Sequence, residues 1–263
     1  MDEMIEKVKN GYTLNIYKDK LELSTAVFKF IQSHIIHTLK KKDRFKFCVS
    51  GGSTPKSVYQ LLSKSNLKWD FVDVFLGDER CVDPNSELSN SLMLRNSLLT
   101  NFGSKAYFYE IFNDLNADDE TTKNQFISKL FEKCGSNPPA FDLTLLGLGD
   151  DGHTASLFPY QKNNNVDDFV IFNEGKGLKR ISLTPKVLSA SSKIVFLVSG
   201  ANKRIALERL LDEKEPLDRT PSKLIKSINQ ISIFCDQESA KDCVLYTSPS
   251  PRDRTRSRMP SSA

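Results

Sequence analysis

Residues 142–159 read DLTLLGLGDDGHTASLFP: an apolar run that stops in a glycine-rich, doubly acidic loop holding one of only three histidines in the chain. Residues 142–149 have the length and apolar character of a strand buried on both faces. Asp150, Asp151, Gly152 and His153 follow at its end, and TASLFP (154–159) reads as the start of another helix. A histidine beside carboxylates at a strand end is a candidate general base, because a neighbouring carboxylate can fix its tautomer and raise its basicity. A polar surface residue and a metal ligand are the competing readings of this stretch alone.

Outward from that strand, short β-branched and aromatic runs alternate with longer segments of helical apolar spacing. Strands are predicted at 12–17, 45–50, 71–77, 106–112, 142–149, 169–173, 180–184, 193–199 and 231–236. Helices are predicted at 20–40, 55–64, 87–99, 121–134, 185–191, 201–212 and 221–227. This alternation is the mark of βαβ units and an α/β fold with a largely parallel sheet. No repeat and no linker interrupts residues 1–245, which are expected to form one domain.

Three further loops carry chemistry. In SGGSTPKSVYQLL (50–62) a buried strand ends at Ser50, Gly51 and Gly52 permit a tight turn, and Pro55 suits a first helical turn. The turn sets free N–H groups and the Ser53 and Thr54 hydroxyls at a helix N-terminus, where the dipole favours an anion. It matches neither a Walker A loop nor G-x-G-x-x-G. In FLGDERCVDPNSELSN (75–90), Asp78, Glu79 and Arg80 follow a strand end, where three charges must be solvated or paired. Either an internal Arg–carboxylate pair organises this loop, or Arg80 offers its planar fork to a substrate anion; the two are compatible. Arg180, opening RISLT, and Lys203, in VSGANKRIAL beside Gly200 and a helix start, complete a candidate cationic set. His34 and His37 lie three apart on a predicted helix with no third ligand at matching spacing, and read as helix-surface residues.

Composition narrows the class. With 39% hydrophobic residues in 263, the chain has material for a substantial core. No apolar run approaches the ~18–20 residues of a membrane span, and MDEMIEKVKN lacks the apolar stretch of a secretory signal. The five cysteines (48, 81, 134, 235, 243) form no C-x-x-C pair and are odd in number, as reduced cytoplasmic thiols would be. Of the net charge of +4, three units fall in residues 246–263, YTSPSPRDRTRSRMPSSA, which hold four arginines and one aspartate. The body is therefore nearly neutral with interspersed charges, and a nucleic-acid partner is not expected. The 246–263 segment, rich in Ser, Pro and Arg, reads as a disordered extension or one foreign to the native fold.

SGGSTP (50–55), LGDERCVDPNSELSN (76–90) and LLGLGDDGHTASLFP (145–159), in that order, resemble the 6-phosphogluconolactonase family. The resemblance continues through RISLTPKVLSASSKIVFLVSGANKRIAL (180–207) and ISIFCDQESA (231–240), spanning about residues 15–243. It implies a Rossmann-like three-layer sandwich and hydrolysis of 6-phospho-D-glucono-1,5-lactone to 6-phosphogluconate in the oxidative pentose phosphate pathway, without metal or organic cofactor. By matching positions it implies that His153 activates water and that Asp151 orients it. Asp78, Arg80, Arg180, Lys203 and the Gly51–Gly52–Ser53 turn would bind the substrate. A cytoplasmic enzyme, monomeric or weakly dimeric, is expected. The related glucosamine-6-phosphate deaminases and isomerases share the SGGSTP-like turn, but their histidine loop usually ends FNEP where this chain has Ser156-Leu157-Phe158-Pro159. A deaminase of the same fold and a non-catalytic sugar-phosphate binder are the alternatives. A lactone is an activated ester, so a positioned base worth roughly 10²–10⁴-fold, an anion anchor and oxyanion donors suffice. No nucleophile elbow is present, and none is needed.

Overall fold

The structure is a computed structural model that describes residues 5–165 and 167–245. The 246–263 segment lies outside the described residues. An eight-stranded sheet is built from β1 (Ile5–Lys9), β2 (Tyr12–Tyr17), β3 (Phe45–Val49), β4 (Val72–Leu76), β6 (Tyr107–Tyr109), β7 (Leu143–Gly147), β10 (Ile194–Val198) and β11 (Ile231–Asp236). Its order is β1-β2-β11-β10-β7-β3-β4-β6, and every pair except the β1–β2 hairpin is parallel.

Strands β4, β10 and β11 are buried along their whole length, so both faces of the sheet are covered. Helices α1 (Lys20–Thr38) and α2 (Ser53–Ser63) pack as one pair, and α6 (Arg204–Leu211) and α7 (Gln237–Leu245) as another. The fold is an α/β sandwich with a mostly parallel sheet. In α1 the buried Leu23, Val27, Ile31 and Ile35 recur every fourth residue and give one apolar stripe, and Asp19 caps the helix through the N–H groups of Leu21 and Glu22. His34 and His37 lie on this helix, half-buried and exposed respectively. Helix α4 (Asp119–Cys134) ends on Gly135 in the left-handed conformation. None of the five cysteines is in a disulfide among the described residues. Among the described residues, no helix is long and apolar enough to cross a membrane.

Several expectations are corrected. FVIFN and RISLT do not join the main sheet. They form β8 (Val170–Gly175) and β9 (Leu178–Leu183), which with β5 (Asp78–Arg80) make a separate antiparallel sheet in the order β5-β9-β8. Only Lys176 and Gly177 separate β8 from β9, and a two-residue connection cannot cross over to a parallel neighbour. TASLFP is not helical: Ala155 has φ of 46°, and Thr154 and Leu157 close a tight bridge. The 87–99 helix shrinks to α3 (Asn90–Arg95), and 221–227 is a single 3-10 turn over Pro221–Leu224. Strand β1, too charged and exposed to show a clear alternation, and helix α7 were not anticipated.

The chain runs from β3 outward to β4, then returns to place β7 on the other side of β3 and continues through β10 to β11. The sheet therefore reverses its winding between β3 and β7. In open α/β sheets this switch point leaves a crevice at the carboxyl ends of the strands.

Candidate active site

Four loops meet at that crevice, each leaving one of the adjacent strands β10, β7, β3 and β4. They line a cleft of ≈ 290 Å³ together with residues of the small sheet. Gly51, Gly52, Ser53, Asp78, Arg80, His153, Arg180 and Lys203 all face it. Asp151 does not line the cleft, but its Oδ1 lies 2.5 Å from His153 Nδ1 and also accepts the His153 backbone N–H at 3.0 Å.

The His153 loop is folded by its glycines. Gly149 donates its N–H to the His153 carbonyl, and a Cβ there would sit 2.0 Å from His153 Nδ1. Gly152 adopts φ +93° and packs on Thr220, while its carbonyl accepts the Ser222 N–H. Phe158 lies against the imidazole, with ring centroids 4.7 Å apart. The carboxylate on Nδ1 leaves Nε2 as the basic nitrogen. Burial opposes the charge of Asp151, but the hydrogen bonds and attraction from His153 prevail and hold its carboxyl well below the usual range.

After β3, Gly52 at φ +113° turns the chain into α2, whose N-terminus receives no side-chain cap among the described residues. Its first N–H groups therefore remain available to a ligand. A Cβ on Gly51 would overlap the Asn90 carboxamide, which donates to the Asp78 carbonyl at 3.0 Å.

Beyond β4, Glu79 is buried and accepts from the N–H groups of Arg80, Asn90 and Ser91 at 2.7–2.8 Å and from Ser89 Oγ at 3.1 Å. Burial nonetheless pushes its carboxyl above the usual range. The internal Arg80–carboxylate pair, one of the two readings of this loop, is not formed among the described residues. Arg80 donates instead to the Leu88 carbonyl, and its Nε is buried without a partner there. Asp78 accepts from Ser156 Oγ at 2.7 Å, which ties the β5 strand to the histidine loop and commits that hydroxyl to structure.

Arg180 stands opposite Arg80 in the β5–β9 ladder and lies over the Phe158 ring at 5.3 Å. Burial, then Arg80, weakens its hold on its proton, against support from Asp78 and Glu79. Lys203 follows Gly200 (φ +99°) in a turn anchored by Asp236, which accepts from Ser199 Oγ at 2.6 Å and from the Gly200 N–H at 3.0 Å. Burial also lowers the Lys203 pKa, partly offset by Asp150. Asp150, Asp151 and His153 bring three ligand-type atoms within 4.8 Å. Each already has a partner, however: Lys176 holds Asp150 at 2.9 Å, and the other two hold each other.

The sequence reading missed Asn90, Phe158, Lys176 and Asp236. Asn90 and Phe158 stand inside the motifs quoted above, and Lys176 sits between two glycines; nothing local marks Asp236.

A family model described as glucosamine-6-phosphate isomerases/6-phosphogluconolactonase matches residues 18–233. The chain belongs to this family. Within the glucosamine-6-phosphate isomerase/6-phosphogluconolactonase family, it is 34% identical over 228 residues to a 6-phosphogluconolactonase of Nostoc, covering 85% of this chain and 95% of the relative. It is 32% identical to the Synechocystis 6-phosphogluconolactonase, covering 81% and 90%. Its fold superposes on the crystal structure of a Shewanella baltica 6-phosphogluconolactonase with a TM-score of 0.77 at 25% identity, over 89% of this chain and all of the other. The family membership accords with the mostly parallel sheet and with motifs gathered at its switch point.

Proposed function

We propose that this chain hydrolyses 6-phospho-D-glucono-1,5-lactone to 6-phosphogluconate, the reaction named in its relatives, as a carboxylic ester hydrolase of the pentose phosphate pathway. The observation that carries the reading is the Asp151–His153 pair opening into one cleft with Arg80, Arg180, Lys203 and the uncapped start of α2. In this reading His153 Nε2 removes a proton from water as the water oxygen attacks C1. Cations and backbone donors stabilise the oxyanion. The C1–O5 bond then breaks, and O5 takes the proton from His153 Nε2 as the ring opens, which restores the neutral imidazole. Asp151 keeps Nδ1 protonated throughout. Arg80, Arg180, Lys203 and the Gly51–Ser53 turn hold the anionic substrate, and Asp78 steadies Arg180.

The test is hydrolysis of freshly generated lactone, corrected for spontaneous opening, with ammonia release from glucosamine 6-phosphate as the counter-assay. Catalysed lactone opening without ammonia supports the proposal; ammonia release overturns it in favour of the deaminase branch of the family. Five cysteines outside any disulfide suit a cytoplasmic location. A monomer or weak homodimer is the proposed assembly state. Residues 1–245 are proposed to act as one domain, with truncation after Leu245 leaving the rate and Tm within error of the full chain.

A further inference from the structure

Lys176 occupies a backbone position that does not favour lysine. It is the first residue of the two-residue β8–β9 turn, with φ +52°, followed by Gly177 at +76°. A hairpin turn with both central residues at positive φ selects Asn, Asp or Gly at its first position, because a Cβ is strained there unless, as in Asn and Asp, a short polar side chain compensates by bonding the local backbone. A strained residue held at the rim of a site points to a role outside the backbone.

The surroundings show what that role is. The Lys176 side chain lines the same cleft as Arg80, Arg180 and Lys203. Its Nζ is 2.9 Å from Asp150 Oδ1, and the two side chains are 48% and 55% exposed. An ion pair so open to solvent contributes little, and a stronger anion displaces it readily. The turn itself is firmly seated. Arg180 Nε donates to the Gly175 carbonyl at 3.2 Å, and Gly175 packs so closely on Phe158 that a Cβ would meet the ring at 2.2 Å. That same ring touches both His153 and Arg180. The hairpin tip is therefore fixed relative to the base and the arginines, while the long lysine side chain remains free to swing.

We infer that Lys176 is a substrate-binding residue that moves from Asp150 to the phosphate of the bound lactone and so selects phosphorylated over neutral lactones. Asp150 holds the ammonium between turnovers. The inference rests on the proposed lactonase activity.

The experiment compares wild type, Lys176→Asn, Lys176→Arg and Asp150→Asn on 6-phosphogluconolactone and on unphosphorylated glucono-1,5-lactone. Asparagine suits the turn, so Lys176→Asn keeps or raises the Tm. It raises KM for the phosphorylated lactone about tenfold, as loss of one charge-assisted contact does. The ratio of kcat/KM between phosphorylated and neutral substrate falls by the same factor. Lys176→Arg keeps the ratio near wild type, and Asp150→Asn, which releases the lysine, lowers KM or leaves it in place. If the Lys176–Asp150 pair only braces the loop, Lys176→Asn and Asp150→Asn instead lower Tm alike and leave the ratio untouched, which overturns the inference. A wild type that opens no lactone removes the functional reading and this inference with it. An active wild type with an unaltered ratio in Lys176→Asn removes the inference alone.

Discussion

Arg80 and Arg180 are directly opposed across the antiparallel β5–β9 ladder, two like charges on one face of a two-residue rung. Opposed like charges destabilise a sheet, so this pair is a candidate anion clamp rather than a structural feature. Replacing Arg180 by Met removes the repulsion, together with the guanidinium over Phe158 and its hydrogen bond to the Gly175 carbonyl. The lost contacts and the relieved repulsion oppose each other, so the expected result is a Tm close to wild type, with KM for the lactone raised about tenfold or more, since a charge-assisted contact is worth about that factor. Steady-state kinetics beside a thermal melt decide it; a lowered Tm with unchanged KM would assign the pair to stability.

For the base, His153→Ala is expected to lower kcat at least about a hundredfold without unfolding the chain. Asp151→Asn leaves the ring in place but loses the anion that fixes its tautomer, for a drop of about 10- to 100-fold. Circular dichroism checks the fold and corrected lactone hydrolysis the rate.

Gly149 offers a sharper test of position. The added methyl of Gly149→Ala would lie 2.0 Å from His153 Nδ1 and 2.7 Å from Asp151 Oδ1, so the ring must shift. A displacement near 1 Å can cost about 10²-fold in rate. Activity should fall by that order while the melting temperature moves little, because the atoms that yield are side chains at the cleft.

Two carboxylates give opposite pH dependences of stability. Asp151 is depressed in the folded chain, so its contribution is present above the unfolded carboxylate range and is lost as pH falls through its folded value. Glu79 is raised by burial, so its contribution is present below the unfolded value and is lost as pH rises through the folded one. Urea unfolding between pH 3 and pH 7, a window chosen around the ~4 of ordinary carboxylates, separates them. Asp151→Asn should flatten the acid limb, and Glu79→Gln the decline above it. Glu79→Gln also starts less stable, because its amide turns a donor toward N–H groups that need an acceptor.

Eight of the nine expected site residues line one cleft, and the ninth, Asp151, contacts His153. Most of them stood out in the sequence because they follow directly on a buried strand, where glycines and charges interrupt an apolar run; Arg180, inside β9, stood out only as the charge that opens RISLT. The small antiparallel sheet was not. Its β5 strand is only Asp78–Arg80, three charged residues whose pairing with β9 depends on a segment a hundred residues away. Asp236 escaped for a similar reason: it ends an apolar strand like many others, and only its neighbour β10 shows that it holds the Lys203 turn.

The sequence by itself determined the alternation of strands and helices, the glycine turns and the chemical character of each loop, because these follow from local backbone freedom and apolar periodicity. The tertiary structure alone decided which loops share a cleft. Strand order and the reversal between β3 and β7 bring four distant strand ends together, and the β8–β9 hairpin folds back to set Lys176 at the rim. Such neighbours are chosen by long-range pairing and packing, which no local pattern of residues records.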